Sequence, residues 1–195
     1  LGNPKLDVLD IEAISNQAKA FKVPLIVDNT VATPCLLNPI EYGANIVIHS
    51  LTKYINGNGT ALGGAIIDAG TFDWANGKFP EFTEPSPGYH GLVYSEVLEA
   101  AAFIAKIRIE GLRDYGAALS PFNAFQIIQG LETLEVRIQK HSENALLLAK
   151  WLQKQDLVAW VNYPGLESSA YKSLAARYLP KGQSGLVTFG VHGGY

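Results

Sequence analysis

The sequence predicts an α/β fold, in which helices flank a sheet of mainly parallel strands. Residues 7–22 place apolar side chains at helical spacing, and Pro24 then opens the compact apolar run PLIVD. Two more short apolar runs, ANIVIHS and LGGAIID, follow connections that are marked by Pro, Gly and Asn. Short apolar runs bounded by turns are typical of strands that are covered on both faces.

The second half of the chain continues this pattern. Helical periodicity runs over residues 95–109 and again over 123–151, and VAWVNYP and GLVTFGV predict two further strands around a helix near 168–178. Residues 69–91 are rich in Gly, Pro and aromatic side chains and show neither period. Loops of that length are uncommon unless they are functional, so we expect an ordered excursion from the sheet rather than a linker.

Composition indicates a soluble protein that acts on small molecules. The chain has 195 residues, 48% of them hydrophobic, and a net charge of −3, so it can bury a core and has no charge excess that would favour nucleic acid or a membrane surface. No stretch approaches 18 consecutive apolar residues, and residues 1–20 carry charges throughout, so we expect neither a membrane span nor a secretory signal. We expect the protein in the cytoplasm.

Cysteine usage argues against a disulfide framework and against a metal site. The single cysteine, Cys35, cannot form an internal disulfide and has no cysteine or histidine companions at metal-ligand spacing. We therefore predict no metal ligands and expect Cys35 to be a small buried hydrophobe.

Two predicted strands end in polar side chains that could do chemistry. Asp28 closes the first strand, and Ser50, Thr52 and Lys53 follow the second. Open α/β sheets bind ligands at the carboxyl ends of their strands. A lysine near an apolar wall can form an imine, hydroxyls suit phosphate oxygens, and a carboxylate can pair with a protonated pyridine nitrogen. Taken singly, Lys53 would be a solvated loop residue and Asp28 a turn residue.

Three stretches read together resemble a known family. "VDNTVATP", "HSLTKYINGNG" and "LSPFNAFQIIQGLETLEVR" are similar, in order and spacing, to the Cys/Met-metabolism family of pyridoxal-phosphate enzymes with the aspartate-aminotransferase-like (fold type I) architecture. The insert with "FDW" and "FPEFTEPSPGYHGLVY", and the "GTALGG" after Lys53, resemble the O-acetylhomoserine sulfhydrylase branch of that family. The resemblance runs along the whole chain.

The resemblance implies a role for each matching position. Lys53 matches the lysine that holds pyridoxal 5'-phosphate as a Schiff base and later moves protons among the substrate's α and β carbons and the cofactor. Asp28 matches the partner of the pyridine nitrogen, and Ser50 and Thr52 match phosphate ligands.

Two further positions are implied in the same way. Thr30 matches a residue close to the cofactor ring, and Asn3 matches an asparagine near the phenolic oxygen and the substrate carboxylate.

The family pattern is incomplete at both ends of this chain. The amino-terminal part of the family, with its phosphate-binding glycine turn and ring-stacking tyrosine, has no counterpart here, and the carboxyl-terminal arginine that grips the substrate carboxylate is absent. The arginines present are expected to be surface or interface residues: Arg108, Arg113, Arg137 and Arg177. We therefore expect an internal fragment that supplies one wall of an active site.

The implied reaction is γ-replacement: acetate leaves O-acetyl-L-homoserine, and sulfide or a thiol adds to give homocysteine or methionine. The alternatives are a cystathionine γ-synthase, a methionine or cystathionine γ-lyase, or, from another class, a catalytically incomplete fragment that acts only within an assembly. The resemblance also implies a homotetramer of two dimers. We expect residues 1–140 to form part of the large cofactor-binding domain and residues 141–195 to begin a smaller carboxyl-terminal α/β domain.

Overall fold

A computed structural model describes residues 1–194 as a set of helices around two small sheets. The strands are β1 Ile26–Asp28, β2 Ile46–Ser50, β3 Gly64–Asp68, β4 Val158–Asn162 and β5 Thr188–Val191. The α-helices are α1 Ile11–Ala20, α2 Thr33–Leu36, α3 Pro80–Thr83, α4 Tyr94–Leu98, α5 Ala102–Lys106, α6 Arg113–Tyr115, α7 Pro121–Leu131, α8 Leu134–Leu152 and α9 Lys172–Tyr178. A π-helical segment, Ile107–Leu112, joins α5 to α6, and short 3-10 helices cover Pro39–Tyr42, Pro87–Tyr89 and Glu99–Ala101. Within the described residues, no helix is both long enough and apolar enough to cross a bilayer.

The first sheet has the order β1-β2-β3 and is mixed. β1 pairs with β2 in parallel, with Asp28 opposite Ile48, whereas β2 pairs with β3 antiparallel, with Ser50 opposite Gly64. The parallel pairing of the described strands is thus confined to β1 and β2. Because these two strands point the same way, Asp28 and Ser50 lie at the same edge of the sheet, as the sequence predicts.

The second sheet consists of β4 and β5, paired antiparallel. It is separated from the first sheet in the chain by α8, which runs without interruption past residue 141. The domain boundary placed at residues 140 and 141 stays a prediction, and it falls inside this helix.

The first helix begins at an aspartate, as helix capping favours. Asp10 Oδ1 accepts the backbone N–H of Ala13 at 3.1 Å and the Tyr178 hydroxyl at 2.7 Å. These two hydrogen bonds hold the pKa of Asp10 below its usual value, with the Tyr178 hydroxyl making the larger contribution. The same cap therefore starts α1 and ties it to the end of α9.

The helical pattern over residues 123–151 predicts one helix, and this prediction is wrong at residues 132–133, where the helix is interrupted. α7 ends at Leu131 and α8 begins at Leu134, with Thr133 between them outside the helical region, at φ −109° and ψ 5°. Periodicity does not reveal the break, because Leu131 and Leu134 keep helical spacing across it. Just before the interruption, Gly130 lies against the turn that follows β2, where the backbone oxygen of Asn56 approaches it closely.

The main apolar cluster lies where α7 and α8 pack against the turn that follows β2. Ile55, Ile127, Leu134 and Ile138 are each at most 5% exposed and belong to one apolar cluster, against which Cys35 packs half-buried. Cys35 is thus less buried than expected.

The 69–91 insert has its own apolar cluster, in agreement with an ordered excursion. The Trp74 ring stacks on Phe82 at 4.4 Å and on Phe103 at 5.1 Å between ring centroids. Ile46 of β2, only 1% exposed, belongs to the same cluster. The insert is thereby anchored on the first sheet.

Candidate active site

A cleft of about 1080 Å³ opens at the carboxyl edge of β1 and β2. All six residues predicted from the sequence line it: Asn3, Asp28, Thr30, Ser50, Thr52 and Lys53. The structure therefore brings together residues that are up to 50 positions apart, which is the geometric condition for the roles that the resemblance implies.

Thr30 fastens the two strand ends to each other. Its backbone N–H donates to Asp28 Oδ1 at 2.9 Å, and its hydroxyl oxygen accepts the backbone N–H of Ser50 at 2.8 Å. Asn29 extends the same junction, since its N–H donates to the carbonyl of Ile48 at 2.9 Å. Accepting a hydrogen bond leaves the Thr30 hydroxyl proton available to a ligand, and the bond to Oδ1 fixes the Asp28 carboxylate while Oδ2 can accept elsewhere.

Lys53 lies on a compact turn directly after β2. The turn is closed by backbone hydrogen bonds from Lys53 to Ser50 at 3.3 Å, from Asn56 to Leu51 at 3.0 Å, and from Gly57 to Lys53 at 2.8 Å. The Lys53 side chain is exposed to the cleft, and none of the salt bridges among residues 1–194 involves it. Its amine is therefore free to react with a ligand.

Thr52 is held differently from its neighbours. Its hydroxyl oxygen accepts the N–H of Gly63 at 3.1 Å, and its O–H donates to the Gly63 carbonyl at 3.3 Å. Thr52 thus ties the Lys53 turn to the segment before β3. Its single hydroxyl proton would have to turn away from Gly63 before it could serve a phosphate oxygen.

Asn3 enters the cleft from a turn at the start of the chain. The backbone N–H of Gly2 donates to Asp7 at 3.0 Å, and that of Leu6 donates back to Gly2 at 2.9 Å. Gly2 and Asp7 also line the cleft. These bonds hold Asn3 exposed at the cleft wall.

Sequence reasoning missed three cleft residues. Arg137 and His141 lie on α8, and Tyr54 follows Lys53 on the turn, with its ring 5.5 Å from that of His141. Arg137 is half-buried and bonded to the Lys53 turn, so it is not the solvated surface arginine that was expected, whereas the expectation of an interface residue stays a prediction. The nearest sequence signal was Gly57, whose φ of +73° suits glycine and whose missing side chain makes room for the Arg137 guanidinium.

His49 lies outside this cleft. Successive residues of a strand point to opposite faces, so His49 lies on the other side of β2 from Ser50. It is 5% exposed, as expected for a packed core histidine, but its Nδ1 has no hydrogen-bond partner in the part of the chain that the structure describes. Burial lowers the pKa of His49, and the Asp28 carboxylate opposes this only in part. His49 is thus a packing residue whose burial favours the uncharged imidazole.

The cleft's donor set matches the functional groups of pyridoxal 5'-phosphate. That molecule combines an aldehyde, a basic ring nitrogen and a phosphate. The free amine of Lys53 suits the aldehyde, the Asp28 carboxylate suits the ring nitrogen, and the Thr30 and Ser50 hydroxyls are donors for oxygen. The same residues offer no metal site, since no group of three or more His, Cys, Asp or Glu side chains comes together among residues 1–194.

Comparisons with known proteins agree with this chemistry. The family model described as "Cys/Met metabolism PLP-dependent enzyme" matches residues 1–195. The chain is 53% identical to an O-acetyl-L-homoserine sulfhydrylase of Leptospira meyeri, covering 100% of this chain and 46% of that protein. It is 49% identical to O-acetyl-L-homoserine sulfhydrylase 1 of Thermus thermophilus, covering 100% of this chain and 47% of that protein.

A solved structure is similar over nearly the whole chain. It is described as an O-acetylhomoserine (thiol)-lyase from Campylobacter jejuni with N'-pyridoxyl-lysine-5'-monophosphate, and it matches with a TM-score of 0.94 at 44% identity, over 98% of this chain and 48% of that one. The chain thus spans about half the length of the relatives it matches. It belongs to the Cys/Met-metabolism family of pyridoxal-phosphate-dependent enzymes and has their fold type I architecture.

Proposed function

We propose that this chain forms the cofactor-holding part of a transferase that replaces the acetate of O-acetyl-L-homoserine with sulfide or a thiol, giving homocysteine or methionine. The observation that carries the proposal is the cleft in which Lys53, Asp28, Thr30 and Ser50 meet. The names of the two sulfhydrylase relatives described above favour a sulfhydrylase over a cystathionine-forming or cystathionine-cleaving enzyme.

The chain's own residues would hold the cofactor by three kinds of contact. Asp28, oriented through its Oδ1 by the Thr30 backbone, would accept a hydrogen bond from the protonated pyridine nitrogen and so keep that proton on the ring. Ser50, whose backbone is fixed by the Thr30 hydroxyl, would donate its own hydroxyl to the phosphate, and Thr52 would join it after turning from Gly63. Asn3 would donate its amide N–H to the phenolic oxygen or the substrate carboxylate.

Lys53 would move the protons. Pyridoxal phosphate, when bound, supplies an aldehyde that condenses with amines and a ring that takes up the electrons released at the substrate's Cα. Lys53 Nζ, as a free amine beside that ring, would remove the proton from Cα and then from Cβ, and would return protons after the sulfur nucleophile has added at Cγ. Acetate leaves with the electron pair of the Cγ–O bond, so the exchange is balanced.

We also propose that the protein acts as a homo-oligomer, in the form of a tetramer of two dimers. In support, α7 exposes large apolar side chains: Phe122 is 66% exposed, Phe125 58% and Ile128 55%. Exposed apolar surface of this kind marks contacts with other parts of a protein or with other subunits. Light scattering of the purified protein would give the mass of the assembly, and a monomer at working concentration would contradict this part of the proposal.

The reaction is tested by its choice of acceptor. With O-acetyl-L-homoserine and pyridoxal phosphate present, the purified protein should release acetate with sulfide or methanethiol far faster than with cysteine. Lys53→Ala should abolish turnover. Lys140→Ala, which removes an exposed lysine paired with Glu143, is the matched control and should keep it. Faster turnover with cysteine, or turnover retained in Lys53→Ala, would contradict the proposal.

A further inference from the structure

The turn that bears Lys53 is held from outside by one guanidinium group. Arg137 lies in the first turns of α8, and its Nη1 donates to the carbonyl of Tyr54 at 2.8 Å while Nη2 donates to that of Ile55 at 3.3 Å. Tyr54 and Ile55 are the two residues that follow Lys53. The carbonyls of Leu51 and Lys53 accept hydrogen bonds inside the turn. The guanidinium of Arg137 instead donates to the carbonyls of Tyr54 and Ile55.

The same guanidinium also holds the junction between α7 and α8. Arg137 Nη2 donates to the Gly130 carbonyl at 2.7 Å, and Nε donates to the Thr133 hydroxyl at 3.1 Å. A planar guanidinium offers five N–H donors in a fixed fork, and four hydrogen bonds here use that fork toward three carbonyls and one hydroxyl. Lysine has a single nitrogen and cannot reach all four acceptors at once.

Two glycines allow this arrangement. A side chain at Gly57 would lie 2.4 Å from Arg137 Nη1, and one at Gly130 would lie 1.9 Å from the backbone oxygen of Asn56. Asn56 is itself fully buried, with its amide donating to the Ala61 carbonyl at 3.1 Å. The Lys53 turn therefore packs directly against the junction of α7 and α8, and Arg137 connects the turn and the junction by hydrogen bonds.

We infer that Arg137 is a positioning residue that fixes the direction of Lys53 into the cleft by clamping its turn to the junction of α7 and α8. This rests on the proposed function in that Lys53 is the lysine that reacts with the cofactor. Arg137 acts through the backbone of the turn rather than on the reacting atoms. A misplacement of about 1 Å can cost roughly a hundredfold in rate, so loosening the turn should be felt in the chemistry more than in substrate binding.

The test compares Arg137→Met, Arg137→Lys and the control Arg108→Met in the intact protein. Arg108 is an exposed arginine of the π-helical segment. Each variant is mixed with pyridoxal phosphate and reduced with borohydride, and peptide mass spectrometry gives the rate at which Lys53 is labelled relative to the other lysines. Circular dichroism checks folding, and steady-state assays give kcat and KM separately.

For Arg137→Met we expect the relative labelling of Lys53 and kcat to fall by about 10- to 100-fold, with KM changed much less, and the pH profile of the cofactor's visible absorbance to move. Arg137→Lys should recover part of the loss, and Arg108→Met should behave as wild type. If Arg137→Met does not fold, the labelling rate of Lys53 and kcat are compared between Arg137→Lys and wild type, and unchanged values would contradict the positioning role.

The labelling experiment distinguishes failure of the proposed function from failure of the positioning role. Wild-type labelling that avoids Lys53 would overturn the proposed function itself. Wild-type labelling at Lys53 with an unchanged labelling rate and unchanged kcat in the folded Arg137 variants would overturn the positioning role alone.

Discussion

Replacing Gly130 with alanine should destabilise the protein even though glycine is a poor helix residue. Gly130 lies inside α7, where alanine is ordinarily about 1 kcal/mol more favourable than glycine. At this position, however, a Cβ would lie 1.9 Å from the Asn56 oxygen, 2.5 Å from its carbonyl carbon and 2.7 Å from its Cα. All three are backbone atoms, so no side-chain rotation relieves the contact, and either α7 or the Lys53 turn must move by about 1 Å.

The magnitude follows from two opposing contributions. Overpacking a close contact costs about 1–3 kcal/mol, with the upper end expected where backbone is met on both sides. Subtracting the helix gain of about 1 kcal/mol leaves a net loss of up to about 2 kcal/mol in the free energy of unfolding. For a chain of this size each kcal/mol lowers Tm by about 2–4 °C, so at the upper end of this range Gly130→Ala should melt about 4–8 °C below wild type.

The matched control is Gly111→Ala. Gly111 lies inside the π-helical segment, and the nearest atom to a Cβ there, Ile107 Cγ2, is at 3.9 Å, which is ordinary contact. This change should leave Tm unchanged or raise it. Thermal melting followed by circular dichroism measures both variants. A Tm for Gly130→Ala equal to or higher than that for Gly111→Ala would refute the close backbone contact between Gly130 and Asn56.

Three further predictions concern pH, a buried hydroxyl and the strand junction. Because burial lowers the pKa of His49 in the folded protein below its usual 6.5, the unfolded chain binds more protons as pH falls, and the His49 contribution to stability is present above that value and lost below it. Urea midpoints should therefore drop less between about pH 7.5 and about pH 5.5 in His49→Asn than in wild type, and an equal drop would contradict this. Tyr163 donates its buried hydroxyl to the Ser184 carbonyl at 3.0 Å, so Tyr163→Phe should cost about 1–3 kcal/mol by leaving that carbonyl unpaired. The visible absorbance of the bound cofactor should not change in Tyr163→Phe. A urea midpoint equal to wild type would contradict a stabilising hydrogen bond from Tyr163 to the Ser184 carbonyl. Thr30→Val removes the acceptor for the Ser50 N–H and should weaken pyridoxal phosphate binding roughly tenfold, whereas Thr30→Ser should bind as wild type in the same fluorescence titration; equal affinities for the two variants would contradict the role of this hydroxyl.

Short-range patterns predicted the part of the site that comes from strand ends. The apolar runs before Asp28 and Ser50 form β1 and β2, and their parallel pairing brings both carboxyl ends to one edge. This part follows from alternation, turn residues and the general geometry of α/β sheets. Lys53 comes with it, because it lies three residues beyond the end of β2, whereas Thr30 and Asn3 were implied only by the family resemblance.

The support of the Lys53 turn could not be predicted in the same way. Arg137 is 84 residues from Lys53, and arginine on a predicted helix is usually exposed, so nothing local indicated that its fork would meet the carbonyls of Tyr54 and Ile55. The break between α7 and α8 was hidden for a related reason. It lies next to the close approach of Gly130 to the turn, which is a tertiary contact that helical periodicity does not record.

We expect Lys53 to be the lysine that reacts with pyridoxal phosphate, and chemical trapping of the bound cofactor measures this directly. The intact protein is incubated with pyridoxal phosphate, reduced with borohydride, digested and mapped by mass spectrometry. We expect one pyridoxyl phosphate group per chain, on the peptide that contains Lys53, and none on that peptide's counterpart in Lys53→Ala. Label concentrated on another lysine, with Lys53 unmodified, would contradict the account.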